Sequence, residues 1–261
     1  MRRTADKVRQ GKVYLVGAGP GDPELLTQRA VRLLRTAEVV LYDRLIPKCA
    51  LALAPPSATR LFVGKREGRH SMSQRRIAEL MILHARAGRR VVRLQGGDPL
   101  IFGRLGEEVE ALRAAGVPFE IVPGVTAASA CAAYAGVPLT HRDLSRLVIL
   151  STGHGKEGEP ELDWSTLARP GRTLVFYMGH RRLEALVRKL IDHGLDPATP
   201  AALVANVGLG PASLVCAPLA RLPHRVRGRC VEGPALVLVG EVVGLARGEG
   251  EAEQLWEQPA G

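Results

Sequence analysis

The chain has 261 residues, 46% of them apolar and 24% charged, enough for one large α/β domain or two moderate ones. Aromatic residues make up only 4%, which argues against a base-stacking platform. Lysine plus arginine exceed aspartate plus glutamate by 36 − 26 = 10, a balance that suits nucleic acid, an anionic surface, or a polycarboxylate or phosphate ligand.

No apolar run approaches the about 20 residues that a membrane span requires. Residues 1–8 lack the apolar core of a signal peptide. Cys49, Cys131, Cys216 and Cys230 show neither a Cys-x-x-Cys pair nor zinc spacing. The expectation is a soluble cytoplasmic protein with reduced cysteines.

After a polar, basic lead-in, a short strand over 12–16 runs into Gly17-Ala18-Gly19-Pro20-Gly21-Asp22. Asp22 before Pro23 reads as an N-cap followed by the first helical residue. Leu25, Leu26, Ala30, Leu33 and Leu34 keep helical spacing to about residue 36. A second strand over 38–42 ends on Asp43. A Gly-x-Gly after a strand, with an acid about twenty residues on, imitates the dinucleotide fingerprint. Here Asp22 occupies the third glycine position and Pro20 removes a backbone N–H, so a nicotinamide dehydrogenase stands only as an alternative.

A helical segment over 47–54, a strand over 60–63 and Gly64-Lys65-Arg66 follow; Ser71 and Gln74 fit a capping box before a helix over 75–87. The apolar run 91–94 reads as a buried strand that stops at Gly96-Gly97-Asp98-Pro99. Two residues without Cβ let a ligand approach the main chain there, and Asp98 can accept hydrogen bonds from a ribose or an ammonium. A βα loop with an incidental Gly-Gly would look the same. Beyond Ile101-Phe102-Gly103 a helix over 105–115 has Arg104, Glu107 and Glu108 in or near its first turn. A strand over 119–122 leads through Pro123-Gly124-Val125-Thr126-Ala127 into a helix of small residues ending at 135.

This alternation indicates a mostly parallel sheet with helices outside. Residues 136–143 break it, which places an N-terminal α/β domain at 12–138 and a C-terminal α/β domain at 144–246. The second contains strands over 147–151, 173–178 and 201–205, a helix over 181–193, and an antiparallel pair of 213–222 with 235–243. No repeat of fixed period is present.

Several segments in order carry a resemblance: residues 16–27, Tyr42-Asp43-Arg44-Leu45, Gly96-Gly97-Asp98-Pro99 with Phe102-Gly103-Arg104, and 123–127. His141-Arg142, Thr152-Gly153-His154, Tyr177-Met178-Gly179 and Gly233-Pro234-Ala235-Leu236 continue it. Together they resemble the tetrapyrrole methylases over residues 12 to about 245, and among these the members that methylate uroporphyrinogen III. The resemblance implies two α/β domains with S-adenosylmethionine in the cleft between them, a fold unlike the Rossmann-type methyltransferases, and a homodimer. It implies transfer of two methyl groups to adjacent-ring carbons of uroporphyrinogen III, with release of S-adenosylhomocysteine. The product, precorrin-2, feeds sirohaem, cobalamin or haem d1. No metal, nucleic acid or membrane partner is implied. No dehydrogenase/chelatase domain of the kind some relatives carry is expected, and later steps are expected of other proteins.

Matched residue by residue, the family pattern assigns cofactor contacts to Pro20, Gly96, Gly97, Asp98, Ile101, Thr126, Ala127, Met178, Val207, Pro234 and Ala235. Arg104 and Arg142 match positions facing the macrocycle, Glu107 orients Arg104, and Met178 also touches substrate. The proton acceptor matches Asp43 and the donor Lys65. Positioning is most of what a protein can offer an in-line methyl transfer, and arginine forks suit a polycarboxylate. Arg104 is a rival base, disfavoured by its pKa. A helix cap at Asp43 and a solvated charge at Lys65 remain open, and His70, His141 and His154 read as polar loop residues. Gln95 stands where relatives usually carry lysine. Residues 205–211 replace a Glu-Asn-Gly-Thr segment, so the contact at Val207 is expected through backbone alone. A methylase of a later corrin precursor or of RNA, and a non-catalytic nucleic-acid-binding protein, are the rival functions.

Overall fold

A computed structural model describes residues 11–64, 72–153, 161–229, 231 and 233–248. Lys65, His70, Ser71, His154 and Cys230, with the lead-in and most of the polar tail, lie outside the described residues. The chain divides into two compact units, Met1–Thr126 and Ala127–Gly261.

The first unit contains β1 (Lys12–Gly17), α1 (Gln28–Arg35), β2 (Val39–Tyr42), α2 (Lys48–Ala52), β3 (Thr59–Phe62), α3 (Gln74–Arg86), β4 (Arg90–Gln95), α4 (Leu105–Ala114) and β5 (Phe119–Val122). The strands form a five-stranded sheet in the order β3-β2-β4-β1-β5, with every pairing parallel. Such a sheet is buried on both faces, which is why its strands read as apolar runs rather than alternating ones. One face, bearing Val13, Leu15, Val39, Leu41 and Val91, packs on Ile77 and Met81 of α3 and Leu105, Val109 and Leu112 of α4. The other, bearing Val16, Val40, Val92, Leu94 and Val122, packs on Ala30 and Leu34 of α1 and Ala50 of α2.

β1 and β4 are neighbours, yet their onward connections leave in opposite directions. Through α1 the chain passes to β2, beyond β4; through α4 it passes to β5, beyond β1. Because the two helices lie on opposite faces, a crevice opens outside the carboxyl ends of β1 and β4. The glycine loops after these strands sit at that switch point.

The second unit contains α5 (Ala127–Ala135), β6 (Leu147–Thr152), α6 (Trp164–Leu167), β7 (Arg172–Tyr177), α7 (Leu183–Asp192), β8 (Pro200–Ala205), β9 (Ser213–Pro218), α8 (Leu222–Val226) and β10 (Ala235–Val239). Its sheet has the order β6-β7-β10-β8-β9, with β6 and β7 parallel and the other pairings antiparallel. Leu174, Phe176, Leu203, Val215 and Val237 of this sheet pack on Leu183, Leu186, Val187 and Leu190 of α7.

Three sequence-based assignments change. β9 and β10 do not pair with each other; β8 lies between them and is antiparallel to both. Asp22 caps only a 3₁₀ turn, Pro23–Leu25, by accepting from the Glu24 N–H at 2.8 Å. Thr27 caps α1 through Oγ1, which accepts from the Ala30 N–H at 3.1 Å. α3 is capped by Ser73, whose Oγ accepts from the Arg76 N–H at 3.2 Å, where the capping box named Ser71, which lies outside the described residues. The small-residue helix α5, placed by the sequence reading before the break at 136–143, packs against β8 and β10.

Candidate functional site

In the first unit three loops meet at the carboxyl end of the sheet. Gly19 and Gly97 exchange backbone hydrogen bonds, Gly19 N–H to Gly97 O at 3.1 Å and Gly97 N–H to Gly19 O at 2.6 Å. A Cβ on Gly17 would lie 2.6 Å from Gly124 N, and one on Gly124 would lie 2.4 Å from Gly97 O. Only glycine permits this approach, and it locks the loops after β1, β4 and β5 together. Gly96, Gly97 and Asp98 are half-buried, whereas Pro20 is buried. Asp98 shapes its loop: Oδ1 accepts from Leu100 N–H at 2.9 Å and its carbonyl from Ile101 N–H at 3.1 Å.

The loop then passes through Phe102 and Arg104, both left-handed at φ 54° and 55°. Gln95 Nε2 donates to the carbonyl of Gly103, the residue between them, at 2.8 Å. Arg104 thereby stands at the N-cap position of α4 with its side chain out. Its Nε and Nη2 donate to the two carboxylate oxygens of Glu107 at 2.8 and 2.9 Å. Two of the five guanidinium N–H groups are used, so the rest of the fork is free of Glu107.

Asp43 follows the end of β2. Its Oδ1 accepts from Leu45 N–H at 3.0 Å in a local turn, and α2 begins after Pro47, so Asp43 caps no helix. Burial pushes its carboxyl above the usual range, against the opposing pull of Arg93, the Leu45 and Gly96 amides, and Arg44. Lys65, the sequence-derived proton donor, lies outside the described residues.

The second unit gathers its named residues at one end of its sheet, as register dictates. Leu236 pairs with Tyr177 and Ala235 with Ala205, so Met178, Val207, Pro234 and Ala235 share that end. Met178 is 51% exposed and left-handed at φ 56°. Asn206, left-handed at φ 59°, donates its N–H to Pro234 O at 2.9 Å, and a Cβ on Gly233 would meet its Oδ1 at 2.2 Å. Val207 has a buried side chain. Ala127 opens α5, whose first turn is held by the Ala128 N–H donating to the Tyr177 hydroxyl at 3.1 Å. Arg142 is exposed on a turn closed by His141 and Ser145. His141 Nδ1 accepts from Asp143 N–H at 3.2 Å, which makes that histidine part of the turn.

One buried pairing escaped the sequence reading: Arg93, 4% exposed in β4, is joined at 3.1 Å to Glu108, fully buried on α4. A single arginine inside Val91-Val92-Arg93-Leu94 and a glutamate on the stripe Leu105, Glu108, Val109, Leu112 were the signals. Among the described residues, no three His, Cys, Asp or Glu side chains group as metal ligands would, and no helix is long and apolar enough to cross a membrane. Two concavities, one beside Lys12, Arg113 and Phe119 and one beside Glu38, Thr59 and Arg90, lie at the amino ends of the first sheet and contain none of the candidate residues.

Comparison with known proteins fits this geometry. The family profile described as Tetrapyrrole (Corrin/Porphyrin) Methylases matches residues 12–223. A siroheme synthase of Pseudomonas paraeruginosa is 52% identical over 235 residues, which are 90% of this chain and 50% of that protein. The chain thus spans about half the length of the curated relatives it matches. The crystal structure of a uroporphyrin-III-C-methyltransferase from Thermus thermophilus is 44% identical, covers 94% of this chain and 97% of its own, and superposes with a TM-score of 0.76. The Thermus thermophilus enzyme complexed with S-adenosyl homocysteine gives 44% identity and a TM-score of 0.74, covering 89% of this chain and 93% of its own. The family profile covers most of the chain and its two α/β sheets match the solved methyltransferase structure, and the chain belongs to the tetrapyrrole methylases.

Proposed function

We propose that this chain is an S-adenosylmethionine-dependent methyltransferase that methylates uroporphyrinogen III twice, giving precorrin-2. The observation that carries the reading is the meeting of the Gly17, Gly97 and Gly124 loops at the switch point of the first sheet, beside Asp43 and the Arg104–Glu107 fork. Its support from outside is the 44% identity to the Thermus thermophilus enzyme over nearly its whole length.

The residues present fit the cofactor. The loops offer backbone donors and acceptors without Cβ, and Asp98 offers a carboxylate to ribose hydroxyls or an ammonium. Ile101 and Thr126 flank these loops in the first unit, and Ala127, Met178, Val207, Pro234 and Ala235 supply the contacts proposed from the second. When bound, S-adenosylmethionine supplies an electrophilic methyl group and departs as S-adenosylhomocysteine.

The chain's own task is to hold the macrocycle and to take a proton. Arg104, braced by Glu107, and the exposed Arg142 pair with substrate carboxylates. Asp43 accepts the proton lost from the methylated carbon; its raised pKa brings it closer to the working pH, as a general base requires. Lys65 is assigned the donor role. A homodimer in the cytoplasm and a product directed to sirohaem, cobalamin or haem d1 complete the proposal.

The test is anaerobic incubation of the pure protein with uroporphyrinogen III and S-adenosylmethionine, followed by mass analysis. A gain of two methyl groups, lost in Asp98→Ala, is expected. Absence of methylation in a protein that still binds S-adenosylhomocysteine by calorimetry would remove uroporphyrinogen III as the substrate.

A further inference from the structure

Arg93 occupies an unusual place. The register sets it between Leu15 of β1 and Leu41 of β2, in the middle of a parallel sheet. It is 4% exposed, donates from Nε to Glu108 at 3.1 Å and from Nη1 to the Leu94 carbonyl at 3.1 Å. Glu108 is fully buried, and its second oxygen, Oε2, has no hydrogen-bond partner among the described residues. An apolar pair of the same volume would serve stability as well or better, so the ion pair calls for another reason.

Its neighbourhood supplies one. Side chains two apart on a strand share a face, so Arg93 and Gln95 of β4 lie on the same face as Leu41 and the Asp43 that follows β2. The charged groups facing Asp43 are Arg93 from β4, Glu108 from α4 and Arg44 in its own loop; backbone amides of Leu45 and Gly96 complete the set among the described residues. Glu108 stands one helical turn beyond Arg104.

We propose that Arg93 is a positioning residue: clamped by Glu108, its guanidinium sits beside Asp43 and ties the end of β2 to the turn of α4 that presents Arg104 and Glu107. Asp43 and the arginine fork are then held by one buried pair. The catalytic meaning of this arrangement rests on the function proposed above; the arrangement itself does not.

The test is a carboxyl-carbon NMR titration of Asp43 in the full chain, with its signal assigned through Asp43→Asn. Removing the pair in Arg93→Met/Glu108→Leu should raise the Asp43 midpoint by about one pH unit or more. Glu108→Gln, which leaves Arg93 without its competing carboxylate, should lower it, and Arg93→Lys should fall between wild type and the double variant. Opposite shifts in folded proteins would support the positioning role, because a purely structural pair has no reason to move Asp43 in both directions. An unchanged midpoint in both variants would overturn it, and should the double variant fail to fold, the sign of the Glu108→Gln shift decides. The acid limb of methyl transfer, measured on the same variants, should follow the NMR midpoint. A midpoint that moves while the rate profile stays fixed would uphold the positioning role and sink Asp43 as the proton acceptor.

Discussion

The side-chain amide of Gln95 holds the Gly103 carbonyl at 2.8 Å, directly between two left-handed residues, Phe102 and Arg104. Each of those conformations costs on the order of 1–2 kcal/mol, so the loop needs a tether. Gln95→Leu removes the donor and should lower stability by about 1 kcal/mol in urea unfolding. Because Arg104 then loses its fixed mount, KM for the tetrapyrrole should rise more than kcat falls. Gln95→Lys keeps a donor for the same carbonyl and should retain most of the activity.

Gly124→Ala would place a Cβ 2.4 Å from the Gly97 carbonyl and 2.9 Å from Gly17 Cα. Both obstacles are backbone, so the loops must part. The expected loss is about 2 kcal/mol or more of stability, together with S-adenosylhomocysteine affinity, read by thermal melting and calorimetry. Gly106→Ala, on α4 where a Cβ meets nothing within 4 Å, should leave both unchanged or slightly improved.

Asp43 has a folded-state pKa raised by burial above its ordinary 3.8, so the native state disfavours its charged form. Between the unfolded and folded pKa values the native protein binds more protons, and stability therefore falls as pH rises through that window. Asp43→Asn keeps an oxygen for the Leu45 N–H but removes the buried charge. The variant should lose methyl transfer and melt higher than wild type at neutral pH, with the gap closing as pH falls toward 3.8. Melting curves at several pH values test this; a variant less stable at neutral pH would refute it.

Cys131 lies buried in α5, and burial pushes its thiol pKa up to about 12. Cys49 is exposed. Iodoacetamide should label Cys49 in the native protein and reach Cys131 only after denaturation, as peptide mass analysis would show.

Much of this architecture could be read locally. The parallel sheet of the first unit announces itself through apolar runs such as 91–94, because strands buried on both faces show no alternation. The glycine loops were legible because Gly96-Gly97 ends such a run. The pairing of residues 213–222 with 235–243 was misread, since alternation reveals a strand but not its neighbour, and β8 enters between them from earlier in the chain. Asp22-Pro23 is a true capping signal, yet it starts a single 3₁₀ turn, and the quieter Thr27 starts the helix. The Arg93–Glu108 pair joins residues 15 apart, and only the packing of α4 on the sheet reveals that two charges share one buried place.

The position of β10 has a consequence for how the second unit comes into being. It is the last of the described strands in sequence, yet it lies in the interior of its sheet, hydrogen-bonded to β7 on one side and β8 on the other. Until it emerges from the ribosome, β6-β7 and β8-β9 are two separate ribbons, each with an unsatisfied apolar edge. The first unit can close its own sheet while those ribbons wait. A chain cut short before residue 235 would therefore carry one finished sheet and two ribbons with open apolar edges, a species prone to aggregate.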